Sequence, residues 1–248
     1  MLTGSADPGV LAAGAATMKS FDVESLRLEG VETLQVFCET RRADAEAFLP
    51  PALHPTLPPA LTWTAHRVSE SPWGPFSMAH CRIECRSGLR QRGFLRGGFV
   101  DNPEAAAGLS EGWGYALAPG QVDLQAGYHE TRLRVEASGA QVLDLSLEDP
   151  AVLRPQDTHF VASMNLAHTP NGLRLVQVEA EFEVERAERG RPQLRGFDAE
   201  GWHCPGLEPT HPVAALLARG AVTLPALRFV CRPDVLAFTG SEKVGGAN

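Results

Sequence analysis

From Val176 to Glu185 the sequence VQVEAEFEVE alternates without a break between apolar and polar side chains. In an extended strand successive side chains point to opposite faces of a sheet, whereas a helix would scatter both sets around its axis. The surrounding run LRLVQVEAEFEVER therefore predicts a strand with Val176, Val178, Ala180, Phe182 and Val184 on one face and Gln177, Glu179, Glu181, Glu183 and Glu185 on the other. Carboxylates that follow one another on a strand face stand about 6.6 Å apart, and nothing basic in the run draws them together. The acidic row reads as a solvated face and not as a metal or acid/base site.

The same period recurs. VETLQVFCET at 31–40, ALTWTAHRV at 60–68, FSMAHCRIECR at 76–86 and GFLRGGFV at 93–100 read as strands. YHETRLRVEASGAQVLDLSLED reads as a hairpin turned near Ser138-Gly139. Within ALTWTAHRV, Trp63, Ala65 and Arg67 share one side and Thr62, Thr64 and His66 the other.

Helices are fewer. Thr40 is expected to cap RRADAEAFLP, which Pro50-Pro51 ends, and Asp101 or Asn102 to cap PEAAAGLSEG, with Pro103 in the first turn and Gly112 at the end. VAALLARG at 213–220 reads as a third, closed by Gly220. The fold class expected is α+β, mainly antiparallel β, a curved or barrel-like sheet around an interior cavity with a few packed helices. Residues 21–238 form a single domain in this reading, with a flexible N-terminal extension at 1–20, a flexible tail at 239–248, and Met18 as an alternative start.

The net charge of −8, without a basic run, argues against nucleic acid or an anionic membrane as partner. No apolar stretch reaches the ~20 residues of a membrane helix. Five cysteines, an odd number without framework spacing, suit a reducing cytoplasm. Cys81 and Cys85 would stand about 13 Å apart on a strand, too far to share a metal ion, and the histidines form no ligand pair, so no metal is expected. Nucleotide loops and nucleophile elbows are absent, and no cofactor is implied. Lys19 and Lys243 are the only lysines, one near each end of the chain.

The scarcity of lysine matters because the order of elements resembles the acetoacetate decarboxylase family over about residues 30–238. The resemblance rests on VETLQVFCETRRADAEAFLPPAL, on WGPFSM, on GFVDNPEAAAGLSEGWGYALA and on the RPDVL ending. In that family a lysine condenses with the ketone of a β-keto acid. The resemblance puts that lysine at Leu117, its lysine neighbour at Ala118, the preceding proline at Ala116, the cavity glutamates at Trp63 and Met78, and the cavity arginine at Val31. Only Tyr115 and Glu111 keep the character of the block.

The segment WGYALAPGQ thus looks like the family's catalytic turn without its chemistry, and the resemblance implies an apolar pocket lined by Val31, Trp63, Met78, His80, Tyr115 and Leu117. If Met78 points inward, the strand period sends His80 and Arg82 the same way, with Phe76 before them. Three readings stay open. The protein binds a small carbonyl-type or apolar metabolite without an imine, as a pseudoenzyme would. Alternatively, it is an enzyme of lyase, hydratase or isomerase type using His80, Tyr115, Glu111 or Arg82. The last is a structural or interaction protein with its interior filled. A small-molecule partner is expected, and the family implies self-association as a homo-oligomer.

Overall fold

The computed structural model describes residues 2–245. One large mixed sheet, not closed into a barrel, dominates it, and the few helices pack against that sheet. Its central strands run in the order Ser163–Thr169, Arg90–Val100, Phe76–Ser87, Ala60–Glu70, Leu26–Thr40, Pro209–Leu224, Glu181–Phe197 and Ala140–Leu153. Most neighbours are antiparallel; Ser163–Thr169 and the short strand Leu117–Pro119 each run parallel to Arg90–Val100.

Alternation divides the apolar residues between the two faces of the curved sheet. Trp63, Ala65, Leu34, Val36, Ile83 and Phe94 belong to one cluster; Val31, Val68, Met78, Leu109, Trp113 and Tyr115 belong to the other. The helix Pro103–Trp113 begins where Asn102 accepts hydrogen bonds from the amides of Glu104 and Ala105, and it packs Ala105, Leu109 and Trp113 into the second cluster.

Several expectations are corrected. VAALLARG is no helix: it lies inside the strand Pro209–Leu224, which pairs on both sides, with Leu26–Thr40 and with Glu181–Phe197. Alanine and leucine favour helix, but two full ladders of tertiary hydrogen bonds override that weak local preference. The acidic run is two strands, Gly172–Val178 and Glu181–Phe197, which break at Glu179-Ala180, although Val178, Ala180 and Phe182 still face the same cluster. Its carboxylates do meet bases: Glu179 binds Arg92 at 2.7 Å, and Glu183 pairs with Arg27. Thr40 does not cap the helix Arg42–Phe48; its hydroxyl donates to the Glu208 carbonyl at 2.8 Å. The helix expected to stop at Gly112 runs to Trp113 and is closed by Gly114 at φ 68°.

Within the expected N-terminal extension, the described residues 2–20 are tied to the rest of the fold. Gly4 donates its amide to the Leu53 carbonyl at 2.8 Å, Ala16–Thr17 pairs with Ser163–Thr169, and Met18 is buried. At the other end, Ser241–Lys243 pairs with Phe229–Cys231; residues 246–248 of the expected tail lie outside the described residues. All five cysteines are buried free thiols, and no cluster of metal-ligating side chains forms among the described residues. Among the described residues no helix is long and apolar enough to cross a membrane.

Candidate functional site: a buried arginine beside two histidines

Three neighbouring strands deliver the polar side chains of the second face. Thr33 and Gln35 come from Leu26–Thr40, Thr64 and His66 from Ala60–Glu70, and Met78, His80 and Arg82 from Phe76–Ser87, each set two residues apart. Tyr115 joins them from the turn after the long helix. Gly114 makes that turn possible: its left-handed backbone reverses the chain, and a side chain there would crowd Ala167. Trp113 anchors the turn by donating its indole N–H to the Pro225 carbonyl at 2.8 Å and accepting from Asn165 Nδ2 at 2.9 Å.

Arg82 is the electrostatic centre. It is buried, with Nη1 donating to the Val161 carbonyl at 2.9 Å and Nη2 to Thr64 Oγ1 at 3.2 Å. It forms no ion pair among the described residues, and its Nε has no partner. An uncompensated buried guanidinium is costly, since charges leave water at a penalty that only an opposite charge or dense hydrogen bonding repays.

The histidines do not add charge. Burial, then the nearby Arg82 cation, lowers the His66 pKa to about 3, and burial, Arg82 and His66 hold His80 well below its ordinary value. Both rings are therefore neutral at pH 7. His66 Nδ1 lies 2.9 Å from Thr33 Oγ1, while His80 Nδ1 is buried without a partner. Burial raises the Tyr115 pKa, keeping it a neutral phenol. Gln35 donates to Thr64 Oγ1 at 3.4 Å, which leaves its carbonyl oxygen free.

An aromatic row leads outward from this group. Tyr115 and His80 have ring centroids 6.0 Å apart, His80 and His66 5.8 Å, and His66 and Phe182 6.2 Å. Phe160 stacks on Phe182 at 3.8 Å, and both are half-buried. The space these residues enclose has a volume of about 30 Å³. That is room for roughly one water molecule. A larger guest requires side chains to move, and Met78, unbranched and adaptable, lines the space.

The residues singled out in the sequence thus separate. Val31, Met78, His80, Arg82 and Tyr115 line one space. Trp63 does not: it is buried on the opposite face of the sheet, edge-on to Phe197 at 5.1 Å. Successive strand residues face opposite sides of the sheet, so it is Thr64 and His66, on either side of Ala65, that point inward from this strand. Leu117 lies along an outer groove, not in the interior space. Glu111 is an exposed partner of Lys19 at 3.0 Å on the helix surface. The interior is lined mostly by apolar side chains, among them Val31, Met78, Val178 and Leu224, but Gln35, Thr64, His66, His80 and Arg82 share it. Gln35, Thr64, His66 and Phe182 were missed, although the alternation of Thr62, Thr64 and His66 already put two of them on the right face.

An open mixed sheet with one long helix packed on it is an arrangement shared with known proteins. The family model described as Acetoacetate decarboxylase (ADC) matches residues 11–232. The chain belongs to the acetoacetate decarboxylase family. Among solved structures it is similar to the acetoacetate decarboxylase of Legionella pneumophila subsp. pneumophila str. Philadelphia 1, at 17% identity and TM-score 0.72, covering 83% of this chain and 86% of that one. It is also similar to the enduracididine biosynthesis enzyme MppR complexed with pyruvate, at 18% identity and TM-score 0.68, covering 83% and 90%. An acetoacetate decarboxylase-like enzyme from Sphingomonas wittichii RW1 matches at 16% identity and TM-score 0.66, covering 91% and 96%. At these identities the likeness establishes the shared fold. No curated protein matches the chain in sequence.

Proposed function

We propose that this protein binds a small carbonyl compound bearing a carboxylate, such as a keto acid, in the space beside Arg82, and that it does so without forming an imine. The observation that carries the reading is Arg82, a buried cation whose protein partners are all neutral. A carboxylate placed against its free edge supplies the missing opposite charge, through the paired hydrogen bonds that guanidinium groups make with carboxylates. MppR, a relative in fold, is described with pyruvate bound, and pyruvate is a ligand of this chemistry. Imine formation needs a buried amine, and both lysines here have exposed positions.

A second reading, catalysis of proton transfer next to the carbonyl, is favoured by the unpartnered Nδ1 of His80. A bound carboxylate offsets the Arg82 charge, one of the causes that hold the His80 pKa down, and so moves the ring towards a useful basicity. Tyr115, a neutral phenol lining the same space, would serve as the donor to the carbonyl oxygen in this reading. Isomerisations and eliminations next to a carbonyl begin with such a proton transfer.

Calorimetric titration with pyruvate and with acetone separates these ideas from a filled, structural interior. Pyruvate should bind and acetone should not, and Arg82→Met should weaken pyruvate at least tenfold while borohydride traps no adduct with the wild-type protein. Equal affinity for both compounds, or an unaltered Arg82→Met variant, would overturn the assignment.

A further inference from the structure

A second arginine stands without a carboxylate on the opposite side of the Arg90–Val100 strand's bulge. Cys81 pairs with Gly97 and Arg82 with Leu95, so Arg96 is the extra residue that faces no partner across the ladder. Such bulges bend a strand and re-aim one side chain. Here the guanidinium is turned between two aromatic rings, 5.3 Å from the centroid of Phe48 and 5.8 Å from that of Phe94. Arg96 makes no ion pair among the described residues, and its Nε is buried without a partner.

Arg96 opens onto a groove of about 1190 Å³, far larger than the interior space. The N-terminal segment, residues 5–17, forms one wall and is rich in small residues such as Ala6, Ala13, Gly14 and Ala15. Phe94, Phe99 and Leu117 contribute apolar surface on the other side. Trp202 also lines the groove, and its indole N–H is a buried donor without an acceptor. Asp7 is the one carboxylate in the lining, and its Oδ1 already accepts from the Gly9 amide at 2.8 Å.

We infer that this groove is a second binding site, which takes a monocarboxylate carrying an apolar body. The aromatic rings hold the guanidinium faces and leave its N–H edge for an anion, worth more in this partly dry setting than at an open surface. Trp202 supplies a further donor, while the alanine-rich wall and the phenylalanines suit a hydrocarbon chain. A phosphate would find a single arginine and no lysine in the lining, with His203 as the only other basic side chain. The groove shares only Tyr115 with the lining of the Arg82 space, and the proposal stands whether or not that space binds a keto acid.

The probe is octanoate, with 1-octanol as its uncharged counterpart, read by calorimetry and by hydrogen exchange. Octanoate should bind at least tenfold more tightly than octanol and should slow exchange in residues 5–17. Arg96→Met should weaken octanoate at least tenfold without changing octanol, Arg96→Lys should lose less, and Arg82→Met should leave octanoate binding intact. If Arg96→Met does not fold, Trp202→Phe serves, with an expected loss of about threefold or more. Octanoate binding that ignores Arg96→Met, that disappears in Arg82→Met, or that leaves exchange in residues 5–17 unchanged would overturn the site. So would an absence of binding by the wild-type protein.

Discussion

Gly93 lies beneath the side chain of Arg82: a methyl group at residue 93 would stand 2.9 Å from Arg82 Cδ and 3.1 Å from Nε. The neighbouring strand therefore has a bare backbone where the arginine crosses it. Gly93→Ala should displace the guanidinium by a few tenths of an ångström or more, because the flexible arginine yields before the strand does. Pyruvate affinity is expected to fall at least fivefold while the melting temperature moves by no more than a few degrees. An unchanged affinity in calorimetry would detach Arg82 from the ligand.

Acid should reveal the two histidines. The folded-state pKa of His66 is lowered to about 3 and that of His80 is also depressed, whereas each titrates near ~6.5 in the unfolded chain. Between those values the unfolded chain binds protons that the folded protein refuses. Stability is thus complete above about pH 6.5 and is lost as the pH falls, by up to about 1.4 kcal/mol per pH unit for each ring. Denaturant titrations between pH 6.5 and about 4.5, above the main carboxylate range, should show this slope, and His66→Gln should reduce it. A slope unaltered by that substitution would mean that His66 is not held neutral in the fold.

Substitutions at 63 and 64 should have opposite signatures. Trp63 is fully packed in the cluster behind the sheet, so Trp63→Ala should cost about 3–5 kcal/mol of stability and leave the ligand space untouched. Thr64→Val keeps the shape but removes the hydroxyl that accepts from Arg82 and Gln35, and should alter pyruvate binding with a smaller effect on folding. Chemical denaturation together with calorimetry on both variants distinguishes them.

The five thiols should be silent in the native protein. Burial raises the pKa of Cys38 to about 12 and also raises those of Cys81, Cys85, Cys204 and Cys231, so little thiolate is present at pH 8. An aromatic disulfide reagent should react only as fast as the chain opens, and then with all five. Rapid release from one or more thiols under native conditions would show a local opening near that cysteine.

The strands were legible because their signal is local. Period-2 alternation depends on each residue's own neighbours, and it placed Met78, His80 and Arg82 together on one face before any pairing was known. It also separated Trp63 from Thr64 and His66, whereas motif spacing put Trp63 in the pocket, and spacing between motifs does not fix a face when a single residue reverses it. The extended form of 213–220 could not be read locally, because it follows from the two strands that flank it. The same holds for the docked N-terminal segment, whose partners at Leu53 and His168 are distant in sequence.

The chain carries 22 lysines and arginines, of which only Lys19 and Lys243 are lysines. Both side chains belong to exposed residues towards the two ends of the chain. Positive charge elsewhere is thus beyond the reach of enzymes that acetylate amines, and an amine-reactive fluorophore has no side-chain target between these two positions. A donor and an acceptor dye introduced this way would sit on the docked N-terminal segment and the last edge strand, so energy transfer between them could report whether that segment stays seated.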